Sequence, residues 1–242
     1  MIRIGPVRAL HALGTGRPAG RPGTAAQPDA PLRRVDPDAA RNVAQWFIDA
    51  PVMGRERLVT AAYRELQVQT DRQFAELTEP GGAFGYTIAW TRQPAPYSTA
   101  AELIEAVRMT GVLEVTAARV DRDRLHPGLD CGFGGAYDRL RAVHDIVGHV
   151  MTGYGFDRDG EYSAWLLQSR LYHGLARWAA ATELHAEHSV TWTTRQFPEH
   201  KAVLVPQRLL RRSSSHGCRA YLGTSTAGRD GLRRTLPRAS RQ

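Results

Sequence analysis

Two stretches of the sequence concentrate side chains that bind metals. The first reads Arg141-Ala-Val-His144-Asp145-Ile-Val-Gly148-His149 and continues to Gly160-Glu161; the second reads Thr182-Glu183-Leu-His185-Ala-Glu187-His188. Five of the nine histidines fall between residues 137 and 194. Neutral imidazoles with carboxylates suit zinc, iron, manganese or nickel, and two histidines plus one carboxylate with open positions is the usual non-haem Fe(II) set. The expected ligands are His144, His149 and Glu183. Glu161 is expected as a fourth ligand or as the catalytic acid/base. Asp145 is read as a catalytic-site residue, either a ligand or a group orienting a ligating imidazole. Glu187, four residues after Glu183, is an alternative third carboxylate. Arg141, one turn before Asp145, would clamp a substrate carboxylate or pair with Asp145. His185 and His188 read as an exposed helix face, and Trp165, Trp178 and Trp192 as core.

Spacing sets a condition on this site. Asp145 and His149 are four apart and share a helix face. His144 and His149 are five apart, about 140° around a regular helix. They converge only if the helix is distorted or ends near Gly148.

The elements that must position these residues are well punctuated. Asp36-Pro37 is an N-cap with proline at the first helical position, opening a helix through about Phe47. A longer helix spans 54–77, with Leu58, Ala62, Leu66, Gln69 and Phe74 on one stripe. Phe84, Tyr86, Ile88 and Trp90 alternate as in a strand. Thr99 to Glu102 is a capping box for a helix through Met109, and 112–118 is a second strand. A glycine-rich loop at 128–135 then leads into a helical block from Tyr137 to about Thr194, interrupted near 153–160. That loop matches neither a dinucleotide fingerprint nor a P-loop, so nucleotide binding is set aside. The expected fold is α+β and predominantly helical: a compact helical metal-binding core with a small β element.

At 242 residues, 42% hydrophobic and 23% charged, the chain has the composition of one soluble domain. No apolar run approaches the roughly 18 residues of a membrane helix, and the basic N-terminus lacks the apolar core of a secretory signal, so a cytoplasmic location is expected. Two cysteines, Cys131 and Cys218, exclude a disulfide scaffold and a four-thiolate zinc site. The net charge of +8 is unevenly placed. Residues 36–206 carry 17 basic and 22 acidic side chains, whereas 1–35 and 207–242 are arginine-rich. The domain is therefore expected over 36–206, between a disordered basic arm (1–35) and a disordered Arg-rich tail (207–242). Such tails can grip phosphate backbones non-specifically, although solvated tails shaped by arginine-rich coding explain them more simply.

The runs RAVHDIVGH, GFDRDGEYSAW, ATE and PEHKAVLVP resemble an uncharacterised family of actinobacterial and bacteriophage proteins over roughly residues 40–206. That resemblance implies no activity; it marks the same residues. The segment His144-Asp-Ile-Val-Gly-His149 is also similar to the His-Glu-x-x-Gly-His segment of pterin-dependent aromatic amino acid hydroxylases, which bind iron through both histidines and a later glutamate. Here Asp145 stands for that family's glutamate, and Glu183 and Glu187 follow His149 by 34 and 38 residues. A ubiquinone-biosynthesis family has a similar His-Asp-x-x-His…Glu metal motif; this chain carries one extra residue before His149, and Glu161 follows twelve residues later.

These readings together predict one divalent metal, Fe(II) in preference to zinc, acting on a small-molecule substrate. Iron would make the protein an oxygenase, and zinc a hydrolase with Glu161 as general base. Two other readings are a phage or mobile-element accessory protein that binds nucleic acid through its tails, and a metal-free helical domain with a buried polar network.

Overall fold

The computed structural model describes residues 31–52, 56–118 and 125–210. Helix α1 (Pro37–Asp49) starts as its sequence requires. The Asp36 carboxylate accepts the Asp38 and Ala39 N–H groups, and Ala39, Ala40, Val43, Ala44 and Phe47 form the buried face. Its far end is closed by Lys201, whose Nζ donates to the carbonyls of Phe47, Ile48 and Ala50 at 2.7–3.0 Å. Helix α2 (Arg57–Thr78) buries Val59, Ala62, Tyr63, Leu66, Gln69, Thr70, Gln73 and Leu77. Its stripe is thus rotated from the expected one at the start, with Leu58 exposed and Val59 inside.

A βαβ unit follows. Strand β1 (Thr87–Thr91) pairs in parallel with β2 (Val112–Thr116), from Thr87 opposite Val112 to Thr91 opposite Thr116. The crossover is α3 (Ala100–Thr110), capped by the Thr99 hydroxyl at its start and by Gly111 at φ +70° at its end. The first strand is shorter than the alternation suggested: Phe84 and Tyr86 pack on the core from the connection before it.

The helical block is built from α4 (Ala136–His144), α5 (Arg158–Gln168), α6 (Gly174–Ala181) and α7 (Glu187–Thr194), with a last turn α8 (Gln207–Leu210). α4 runs without a break into a π-helical segment at Asp145–Val150, and α6 is joined to α7 through another at Thr182–Ala186. The described residues form a mostly helical α+β fold, as expected.

Two apolar clusters make the core. One joins α1, the first part of α2, α6, α7 and the segment 202–210; the other joins α3, β2 and the Asp145–Val150 segment. α4 with its π extension straddles them, giving Leu140 to the first cluster and Val143, Ile146 and Val147 to the second. α5 does the same with Tyr162 and Trp165 on one side and Leu167 on the other. Polar side chains of these two helices therefore meet in the seam between cores.

The described residues extend beyond 36–206 at both ends and pack on the helices there. The Arg33 N–H donates to Ser163 Oγ at 2.8 Å and the Val35 N–H to Asp159 Oδ1 at 3.1 Å, strapping residues 31–35 across α5. At the other end α8 buries Leu210. The remaining arm and tail, 1–30 and 211–242, on which disorder was expected, lie outside the described residues. No helix among the described residues is long and apolar enough to cross a membrane.

Candidate metal centre

The π-helical segment at Asp145–Val150 meets the condition set by the sequence. A π turn closes i→i+5 hydrogen bonds and widens the helix, which brings residues five apart round to one side of it. His144 and His149 are brought together in this way, with ring centroids 4.9 Å apart at 90° and their Nε2 atoms 3.2 Å apart. Gly148 is required here by space. A Cβ at this position would come 2.9 Å from Ala164 Cβ on α5 and 3.3 Å from the His144 ring.

Each imidazole has its other nitrogen committed. His149 Nδ1 donates to the Tyr154 carbonyl at 3.0 Å, and His144 Nδ1 to Gln168 Oε1 at 2.9 Å. The Gln168 amide is in turn held by Tyr172, to whose hydroxyl its Nε2 donates at 3.4 Å. Both histidines are buried, at 7% and 0% exposure. With both Nδ1 protons given away, two Nε2 lone pairs face the same point.

Glu161 completes that point from α5. Its Oε2 lies 3.1 Å from His144 Nε2 and 3.6 Å from His149 Nε2. Ligand atoms about 2.0–2.2 Å from one ion, at angles between tetrahedral and octahedral, stand roughly 2.8–3.6 Å from one another. All three separations fall in that interval. Among the described residues, His144, His149 and Glu161 form a group that could hold a metal ion.

The helix that carries Glu161 is positioned by a tight loop. Asp157 caps α5 through the N–H groups of Asp159 and Gly160. At Gly160 a Cβ would meet the Gly155 carbonyl oxygen at 2.2 Å, so the 153–157 loop folds directly onto the helix. The same loop delivers the Tyr154 carbonyl to His149, and Phe156 packs edge-on against that ring at 4.9 Å.

The electrostatics fit a cation. Burial would push the Glu161 carboxyl up, but the His188 and His149 imidazoles and hydrogen bonds with His144 and His149 hold it well below the usual carboxylate range. Burial would lower His149, yet the Glu161 carboxylate more than offsets this and raises it. A proton on Nε2 or a cation at the centre relieves the same opposed lone pairs.

His188, read from sequence as surface, reaches Glu161 Oε2 with its Nδ1 at 3.0 Å, out of line for a hydrogen bond. It lines, with Glu161, a shallow cleft with room for about one water molecule, bordered also by Val35, Tyr162, Leu184, His185 and Trp192. His185 is not exposed either: it is buried and stacked on Trp165 at 4.5 Å.

No family model, curated protein or solved structure matches this chain.

Three expectations are redirected by the structure. Glu183, expected as the third ligand, is committed elsewhere: its Oε1 accepts from the Tyr63 hydroxyl at 2.5 Å and from His126 Nε2 at 3.2 Å. It belongs to a second buried cluster in which His200 Nδ1 lies 2.9 Å from Glu187 Oε1 and Tyr137 packs between His126 and His200. Spacing along the chain placed Glu183 correctly on a helix but not on which side of it. Asp145 orients neither imidazole, because Gln168 and the Tyr154 carbonyl take both Nδ1 protons. Its own carboxyl is pushed up by burial and pulled down by His144, His149 and Arg141. Arg141 neither pairs with Asp145 nor faces the cleft; it donates to the Thr116 carbonyl at 2.7 Å and lies 5.9 Å from the Tyr137 ring centre. The sequence reading missed Gln168, although its place seven residues after Glu161, two turns along one face, was a usable signal.

Proposed function

We propose that this protein is a mononuclear metalloprotein whose ion is held by His144, His149 and Glu161, and that it acts as an Fe(II)-dependent oxygenase-like enzyme on a small organic molecule. One observation carries the reading: two Nε2 lone pairs and a carboxylate oxygen converge within 3.6 Å, while both Nδ1 atoms are already bonded. Two imidazoles and one carboxylate leave other coordination positions free, which is the donor set of non-haem iron oxygenases. When bound, Fe(II) would supply redox chemistry with dioxygen and an electron-donating cosubstrate. The chain's own residues hold Nε2 basic through Gln168 and Tyr154 and bury the donor atoms, with His188 beside Glu161. The similarity of the His144–His149 segment to that of the aromatic amino acid hydroxylases supports iron.

A zinc hydrolase is the second reading, favoured by the 3.1–3.6 Å ligand separations, which suit a tetrahedral ion equally. His188, 3.0 Å from Glu161 Oε2, would then be the candidate base in place of Glu161, because Glu161 is used as a ligand. Elemental analysis of the full chain, purified without a metal-affinity column, decides among these. About one equivalent of iron or zinc, lost in His149→Ala and Glu161→Gln but kept in Glu183→Gln, is the expected result. No metal in the wild type after anaerobic reconstitution with Fe(II) overturns the reading and leaves the accessory-protein hypothesis, for which deletion of 211–242 should abolish DNA retention.

A further inference from the structure

The strap at residues 31–35 is bonded to the supports of the metal centre. The Arg33 N–H donates to Ser163 Oγ at 2.8 Å, the Val35 N–H to Asp159 Oδ1 at 3.1 Å, and the Tyr154 hydroxyl to the Pro31 carbonyl at 3.2 Å. Asp159 and Ser163 stand on α5 two residues before and two residues after Glu161. Tyr154 is the residue whose carbonyl takes the His149 Nδ1 proton. Ser163 Oγ also lies 2.7 Å from the Asp159 carbonyl, to which it donates, so this oxygen is fixed to the helical turn that presents Glu161. One short segment is thus tied both to the turn that carries the carboxylate ligand and to the loop that orients an imidazole.

Much of the strap faces solvent. Pro31, Leu32, Arg33 and Arg34 are exposed, and of the five residues only Val35 is buried, where it borders the shallow cleft beside Glu161 and His188. Asp36 caps α1 immediately afterwards, which gives the strap a fixed end. Hydrogen bonds of half-exposed backbone contribute little each, and a segment that buries one side chain belongs to the low end of local stability. α5 and the 153–157 loop are therefore braced by an element that opens more readily than they do.

We propose that residues 31–35 are a latch coupled to the metal centre: docking of the strap tightens the hold of His144, His149 and Glu161 on the ion, and the ion in turn keeps the strap down. This rests on the metal-centre reading and adds a means of regulating that site. An ion draws Glu161 and His149 to fixed positions. That steadies Asp159, Ser163 and Tyr154, the three residues to which the strap bonds. The coupling is reciprocal by thermodynamic necessity, so lifting the strap lowers metal affinity without touching a ligand.

The test uses the full chain with and without Zn²⁺ and follows hydrogen exchange in the peptide spanning residues 31–36, which carries the Arg33 and Val35 amides. Zinc should slow exchange of these amides by roughly three- to tenfold in the wild type and leave it unchanged in His149→Ala. Ser163→Ala removes the acceptor for the Arg33 N–H. Tyr154→Phe removes the bond to the Pro31 carbonyl and keeps the backbone carbonyl that holds His149, so it checks that Ser163→Ala has not merely disturbed α5. Each variant should bind zinc roughly three- to tenfold more weakly than the wild type in competition with a chromophoric chelator. Exchange that does not respond to zinc in the wild type, or wild-type zinc affinity in both variants, would overturn the latch. Zinc content of the same samples separates the two levels. Wild type that takes up no zinc fails the metal-centre reading and this one together, whereas normal zinc uptake with unchanged exchange fails this one alone.

Discussion

His144 and His149 face each other through their Nε2 atoms at 3.2 Å, five residues apart on a helix that brings them together by widening to a π turn. Two neutral imidazoles in that relation repel unless something positive lies between them. Metal should therefore stabilise the fold by mass action, by about 3–4 kcal/mol at a hundred to a thousand times the dissociation constant. For a chain of this size that corresponds to a rise of roughly 5–15 °C in Tm. Calorimetry with and without chelator should show this difference in the wild type and none in His149→Ala. An equal response in both would place the ion elsewhere.

Gln168 touches no ion yet fixes which nitrogen of His144 is basic, through the 2.9 Å contact to Nδ1. Replacing it by leucine keeps the volume and removes the acceptor. Loss of such an orienting partner weakens metal binding by about 10–100-fold. Competition titration against a chromophoric chelator measures this directly, and an affinity equal to wild type would mean that the ring is held by packing alone.

Gly148 sits where α5 crosses the π segment. Alanine there would press on Ala164 and on the His144 ring, at 2.9 and 3.3 Å. Overpacking of this kind costs about 1–3 kcal/mol. Gly148→Ala should lose both stability in urea and metal occupancy, and Ala164→Gly added to it should restore part of each. Restoration of stability without metal would show that the clash with His144 matters more than the one with α5.

Much of the architecture was legible because it is local. Asp36-Pro37 and the Thr99 cap start their helices through contacts within a few residues, so sequence order fixes them. His144, His149 and Glu161 were also legible as metal-binding types. Their grouping depended on a π turn, which differs from an α-helix by one residue of hydrogen-bond register and has no composition signature of its own. Glu183 misled because it is one of a helical i, i+4 carboxylate pair whose direction is set by packing against α2, where Tyr63 stands 120 residues earlier in the chain. His126 and His200 were invisible as a cluster for the same reason: nothing near either in sequence foretells the other.

His185 is buried and neutral against Trp165, and burial, followed by repulsion from His188, lowers its pKa from 6.5 to about 3. The unfolded chain thus takes up a proton between these values that the folded chain refuses. Stability is unaffected by this group above pH 6.5, falls as pH drops below it, and stops falling near pH 3. The slope approaches ~1.4 kcal/mol per pH unit. Urea unfolding of chelated protein at pH 7.5, 6 and 5 should show a steeper loss in the wild type than in His185→Gln. Parallel curves would mean that another group governs the acid limb.

Glu187 produces the opposite slope. Burial first, and then the Glu183 carboxylate, push its pKa up, while His200 pulls it down. A carboxyl whose folded pKa is raised stabilises at low pH and loses that contribution as pH rises from its ordinary value through the raised one. Above that window a buried charge faces Glu183, whose Oε2 has no hydrogen-bond partner. Glu187→Gln removes the charge and keeps an oxygen that can accept from His200 Nδ1, now 2.9 Å from the carboxylate. The substitution should raise stability at pH 8 by something of the order of 1 kcal/mol, with a smaller gain at pH 5, and leave metal content unchanged. A loss of stability at pH 8 would show that the His200–Glu187 ion pair outweighs the repulsion between the two carboxylates, and a loss of metal would return the second cluster to the ligand set.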